Sequence, residues 1–293
     1  MSLTNRDDMK SPLSLDKQID LLESRGLVIS RSRESAKNLL QQTNYYRLSA
    51  YSIGLRDCNN CFIKDTTLEK IYSIYLFDED FRHLLFAVIE PIEIRLRAEL
   101  SYNLAIKYGN CAHLNSSIAN DKGMFFRFLS TYYTEVNKKK ETAFVSHHIS
   151  KYGELPIWAA VELLSFGSLS MFYSNLNLED RKVIADNFKI DVARLPGWLE
   201  CFCEVRNACA HSSRIYNRIF SKTPKMHSEY EKYRGKKIFQ ILIIIYQIYQ
   251  GKGVKWQYFY DNLVRIINLH KQDLDLSLME FPPNWEEILA PKS

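Results

Sequence analysis

One stretch in the second half of the chain gathers residue types suited to proton transfer at a phosphate: Glu204-Val205-Arg206-Asn207-Ala208-Cys209-Ala210-His211-Ser212-Ser213-Arg214-Ile215-Tyr216-Asn217-Arg218. An imidazole takes or gives a proton near neutral pH. A guanidinium fork matches phosphate oxygens and offsets charge that develops on them. Cleaving RNA without a metal needs both parts, and an amide such as Asn207 suits fixing the imidazole tautomer or holding the 2′-hydroxyl. Laid on one helix, Asn207, His211, Arg214 and Arg218 form a polar stripe opposite a mostly apolar one of Val205, Ala208, Cys209, Ser212, Ile215, Tyr216, Ile219 and Phe220. Arg206 sits about 100° from Asn207 and has to bend to reach a ligand held by His211. The Ser212-Ser213 pair offers an alternative end to the helix, which would change which residues share that face.

The bare spacing is weak. With 17 Arg and 7 His in 293 positions, an arginine five residues before a histidine is expected about 0.4 times by chance. Arg265 and His270 repeat it in an apolar setting that reads as coincidence. Glu90, Glu93, Arg95, Arg97 and Glu99 lie on one expected helix, either as surface ion pairs or with Glu93 or Arg97 lining a cleft. Tyr45, Tyr46 and Arg47 suit stacking on RNA bases, although a tyrosine pair is more often core. His147 and His148 near Lys138–Lys140 read as a solvated loop, with phosphate tracking as the alternative. Cys58-x-x-Cys61 has metal spacing, but a structural zinc takes four ligands and Cys111 and His113 lie about fifty residues on. No metal site and no cofactor is expected. Gly-rich phosphate loops, His-Glu-x-x-His helices and nucleophile elbows do not occur.

The elements that must position these residues are helical. The composition, 46% hydrophobic, 25% charged and 13% aromatic with 10 Gly and 8 Pro, describes a chain that buries a core. Val205 to Trp256 holds eleven Lys/Arg and two acids, a local +9 that leaves −4 for the rest of a chain of net +5. The first residues contain no apolar leader run, and the greasiest segment, Ile238–Tyr249, is shorter than the ~18–20 residues a bilayer span needs. These features point to a cytoplasmic protein with reduced thiols and no membrane part. Periodicity predicts helices over 14–25, from 35, from 68 to a kink or restart at Pro91 and on toward Gly109, and over 124–133, 157–164, 169–176, 178–187, 198–220, 229–250 and 256–270. A loop or short hairpin is expected over 54–64. The fold class is therefore all-α or nearly so, with a division at 1–65 and 66–293 or one continuous domain.

Taken together, RNACAH at Arg206–His211, SLDKQIDLLESRGLVI at Ser14–Ile29, NYYRLSAY at Asn44–Tyr51, FRHLLFAVIEPIEIRLRAEL at Phe81–Leu100, WAAVELLSFGSLSMFYSNL at Trp158–Leu176 and FPPNW at Phe281–Trp285 resemble the Abi (abortive infection) family of the HEPN superfamily. The resemblance implies a HEPN-like helical bundle, here with additional N-terminal helices, and a role in phage defence. It also implies metal-independent endoribonuclease chemistry, in which a 2′-hydroxyl attacks the neighbouring phosphate to leave a 2′,3′-cyclic phosphate. Arg206 and His211 are then the catalytic pair with Asn207 between them, and Arg214, Asn217 and Arg218 the RNA-binding residues. One histidine serves poorly as both base and acid, so a homodimer with a composite site is expected; pairing with Arg265 and His270 in one chain is the alternative. RNA is the expected partner, with an inhibitory RNA or antitoxin as a further one. A non-catalytic RNA-binding or protein-binding module is the competing reading.

Overall fold

The computed structural model describes residues 11–292. Among these, thirteen α-helices follow in order: α1 Leu15–Ser24, α2 Arg33–Thr43, α3 Tyr45–Ser49, α4 Leu68–Tyr108, α5 Lys122–Lys138, α6 Ala143–Tyr152, α7 Ile157–Leu163, α8 Phe166–Ser174, α9 Leu178–Phe188, α10 Leu195–Ala210, α11 Ile238–Tyr249, α12 Val254–His270 and α13 Trp285–Leu289. No sheet forms among the described residues, where strand-like pairing is confined to isolated bridges such as Arg56–Phe62. The fold class is all-α.

The chain divides into two compact units, residues 1–80 with 266–275 and residues 81–265 with 276–293. In the first, α1 and α2 pack together around Ile19, Leu22 and Leu40. Ser14 caps α1 by accepting from the Lys17 N–H, and Gly26 at φ 87 closes it with the Gly26 and Leu27 N–H groups on Glu23 and Leu22. Buried Tyr51 donates to Asp78 at 2.7 Å. The tyrosine pair expected in the core is not there: Tyr46 is exposed and Tyr45 half-buried, while Leu48 and Tyr51 point inward on the same short helical stretch.

In the second unit α11 is the central element, apolar on nearly every side and buried from Ile238 to Tyr246. α10 packs on α8 and α11 through Trp198, Phe202 and Val205. α4 runs unbroken through Pro91, so the expected restart there does not occur. Val88, Ile89, Ile92 and Leu96 are buried on either side of it, enough packing to offset the roughly 3 kcal/mol that an interior proline costs. Tyr249 Oη donates to the Val88 carbonyl in the turn Pro91 disturbs, at 2.8 Å. His147 and His148, expected in a loop, lie on α6.

Candidate functional site

α10 carries the Arg-His motif but ends sooner than its sequence periodicity predicts. His211 is its C-cap; the Ser212 N–H returns to Cys209 O at 3.0 Å and the Ser213 N–H to Ala208 O at 2.8 Å, with Ser212 at φ 51. This double return is a Schellman closure with serine at the left-handed position usually held by glycine. The single stripe of Asn207, His211, Arg214 and Arg218 on a helix reaching Phe220 is therefore corrected. Asn207 is exposed on the last turn, His211 is exposed at its end, and Arg214 and Arg218 lie beyond it on a turn anchored by buried Ile215 and Tyr216. Asn217, at φ 54, accepts from Lys237 Nζ through its side chain and backbone carbonyl. Arg218 stands over the Phe220 ring at 5.6 Å.

Arg206 points toward α4. Its Nε lies 3.1 Å from Glu93 Oε2, and its guanidinium stands 5.8 Å from the Phe86 ring centre. The Nε–H is not aimed at the carboxylate, so the contact is an ion pair rather than a hydrogen bond. Nη1 reaches Asn207 Oδ1 at 3.4 Å. Glu93 Oε1 accepts from Arg97 Nη2 at 2.6 Å, and Arg97 also donates to the Val161 and Leu164 carbonyls at the end of α7. One buried carboxylate thus ties the motif arginine to a second guanidinium, and that guanidinium to the carbonyl-rich end of a helix. Both readings of the α4 charges are met in part: Arg95 pairs with Glu99 and Arg97 with Glu93 at i,i+4 spacing, the second pair buried rather than on the surface, and Glu93 and Arg97 also reach a cleft. They border, with Arg206, Lys139, Ser165 and Ser168, a cleft of about 340 Å³.

His270 is almost fully buried, with Nδ1 on Ser73 Oγ at 2.8 Å and its ring edge against Phe77. Burial holds its pKa below the ordinary imidazole value. Arg265 bonds Asn262 and belongs to the other compact unit. Cys58 and Cys61 are exposed on the turn closed by Asp57, and no group of three His, Cys, Asp or Glu among the described residues is arranged to hold a metal.

The basic segment is less positive in space than along the chain. Glu200 pairs with Lys222 at 2.9 Å, and Glu204 accepts from the Ser221 N–H and hydroxyl. Glu280 accepts the backbone N–H groups of Lys236 and Lys237 at 2.9 and 3.0 Å. All three acids come from outside Val205–Trp256.

An α-helical protein with an Arg-x-x-x-x-His pair closing a helix, and that arginine held by a buried glutamate, is the class these features define. A family model described as Abi-like protein matches residues 38–217. The match covers more than half of the chain, so the chain belongs to the Abi-like family, and an abortive-infection role comes with that membership. No curated protein and no solved structure matches it. Among the described residues, no helix is long and apolar enough to cross a membrane.

Proposed function

We propose that the protein is an abortive-infection effector that cleaves RNA without a metal, using Arg206 and His211. The observation that carries this reading is the state of the pair. Arg206 is oriented by Glu93 at a cleft, with Nη2 making no hydrogen bond to the described residues, while His211 presents an exposed ring at the helix end. In the reaction the 2′-oxygen loses its proton to an imidazole and bonds to phosphorus, and the P–O5′ bond breaks. The 5′-oxygen takes a proton, and 2′,3′-cyclic phosphate and 5′-hydroxyl ends result. Arg206 offsets charge on the phosphate oxygens, and Asn207 holds the 2′-hydroxyl or the imidazole tautomer. Arg214, Asn217 and Arg218 would bind flanking RNA, with Asn217 limited to what its bond to Lys237 leaves available.

The reaction needs a base and an acid, which two copies of His211 supply in a homodimer. Exposed Ile94, Ala98, Tyr102 and Ile106 follow at four-residue steps along α4, on the line next to Glu93 and Arg97. That apolar ridge supports a second copy docking beside the cleft. An inhibitory RNA or antitoxin would restrain such an enzyme before infection, and the cytoplasm, where RNA is made, is its place of action.

Purified protein incubated with RNA in EDTA tests the reading, wild type against His211→Ala. Cyclic-phosphate ends from the wild type alone are expected. Equal cleavage by both proteins, or cleavage abolished by EDTA, would overturn it. The ion pair that engages Arg206 favours one second reading, a non-catalytic module; tight, salt-sensitive RNA binding without cleavage is its signature.

A further inference from the structure

A second cleft, of about 420 Å³, shares no residue with the one beside Arg206. The loop between α9 and α10, the turn over Ser228–Tyr233, the end of α11 and Lys292 close it from four separate parts of the chain. Three cations line it: Lys189, Arg194 and Lys292. None of them has a carboxylate within ion-pair distance among the described residues. Arg194 is half-buried and its guanidinium makes no hydrogen bond to the described residues. Its guanidinium is therefore available to an anionic ligand entering the cleft. Lys292 is held in place, its N–H on the Gly251 carbonyl at 2.7 Å and its Nζ over the Tyr246 ring at 5.3 Å.

Two acids also line the cleft. Asp191 turns a carboxylate oxygen onto the Ala193 N–H at 2.8 Å, and Glu229 is exposed. The balance stays positive. Half-buried Tyr230 supplies aromatic surface, and burial pushes its hydroxyl up to about 12, so it remains a donor at neutral pH. The amides of Gln247 and Gln250 complete a polar edge. The volume falls within the roughly 300–1,000 Å³ of small-molecule sites.

We infer that this cleft binds a nucleoside phosphate, with the phosphoryl group on Arg194, Lys189 and Lys292 and the base against Tyr230. The same chemistry is offered by a free nucleotide and by the 5′-phosphorylated end of an RNA. Arg194 caps the start of α10 and His211 its end, about 25 Å apart at 1.5 Å per residue, so the site is separate from the proposed catalytic one and stands without it.

Isothermal titration of the full chain with adenosine 5′-monophosphate, and with short 2′-O-methyl RNA carrying a 5′-phosphate or a 5′-hydroxyl, decides the matter. Saturable binding is expected that weakens at least about tenfold in Arg194→Gln and in Lys292→Gln, persists in His211→Ala, and leaves thermal melting unchanged. Binding of the monophosphate identifies a free nucleotide as sufficient; binding of the 5′-phosphorylated RNA alone identifies an RNA end. No saturable binding of any probe, equal binding of the 5′-hydroxyl RNA, or binding that survives both substitutions overturns the assignment. Loss of RNA cleavage in His211→Ala with nucleotide binding intact separates this site from the nuclease reading.

Discussion

Glu93 stands between Arg206 and Arg97, 3.1 Å from the first and 2.6 Å from the second, with its side chain only 8% exposed. Removing it leaves two guanidiniums partly buried without a counter-charge. Breaking a buried ion pair from one side costs roughly 3–5 kcal/mol. Glu93→Ala is expected to approach that loss in urea denaturation and to lower RNA cleavage beyond it, because Arg206 is no longer oriented. Glu93→Gln keeps an acceptor and should lose less stability. A stability change below about 1 kcal/mol in Glu93→Ala would mean the network is a surface feature.

His211 should behave in the opposite way. Its ring is exposed and makes no hydrogen bond to the described residues, and its backbone rather than its side chain closes α10. His211→Ala is expected to change stability by no more than about 0.5 kcal/mol while abolishing cleavage. A large stability loss in this variant would assign the imidazole to structure.

Mixing protomers tests the composite site. His211→Ala chains and Arg206→Ala chains are each expected to be inactive, and His211→Ala chains refolded together with wild-type chains should lower the rate below what dilution alone predicts, since each heterodimer keeps only one of the two His211 imidazoles the reaction needs. Ile106→Glu, placed on the apolar ridge of α4, should shift the protein toward monomer in sedimentation and lower the rate. A wild-type monomer that cleaves RNA at full rate would remove the dimer from the mechanism.

What the sequence announced and what it hid follow from where each signal resides. α1 was legible because Ser14 and Gly26 mark both ends with local chemistry. The end of α10 was legible only as an alternative, at the Ser212-Ser213 pair where it does fall, because Ser212 adopts at φ 51 a conformation that a glycine would have advertised. Pro91 suggested a restart that does not occur, since its local cost is offset by burial at Val88, Ile89 and Ile92 that no local rule weighs. Arg206 and His211 stood out by type and spacing, but the choice of Glu93 as partner depends on α4 and α10 meeting. For the same reason the local +9 overstated the positive field: Glu200, Glu204 and Glu280 reach the basic segment only in the folded chain.

Glu280 and Gly235 form a pair whose members should fail together. A Cβ built on Gly235 would lie 2.0 Å from Glu280 Oε2, the oxygen that accepts the Lys236 and Lys237 N–H groups. Gly235→Ala therefore displaces the carboxylate, and Glu280→Gln replaces it with a neutral amide. Each is expected to cost about 1–3 kcal/mol, and the double variant clearly less than the sum, because both changes disturb one interaction. Full additivity would show that Gly235 acts through its own backbone.

His113 gives the fold an acid-sensitive point. Its ring is buried with neither nitrogen bonded to a described residue, packed edge-on to Tyr132 at 4.9 Å, and Tyr132 donates to Glu154. Burial lowers its pKa from 6.5 to about 4, against a smaller upward pull from Glu154. The unfolded chain therefore binds this proton more readily than the folded one. The contribution of neutral His113 is complete above about pH 6.5, declines as pH falls toward 4, and is fully lost below that. The whole effect is on the order of 2–4 kcal/mol. Urea denaturation at pH 7, 5.5 and 4.5 should give a steadily falling stability in the wild type, and His113→Leu should flatten part of that fall. If the variant and the wild type lose stability in parallel across this range, the acid sensitivity belongs to other groups.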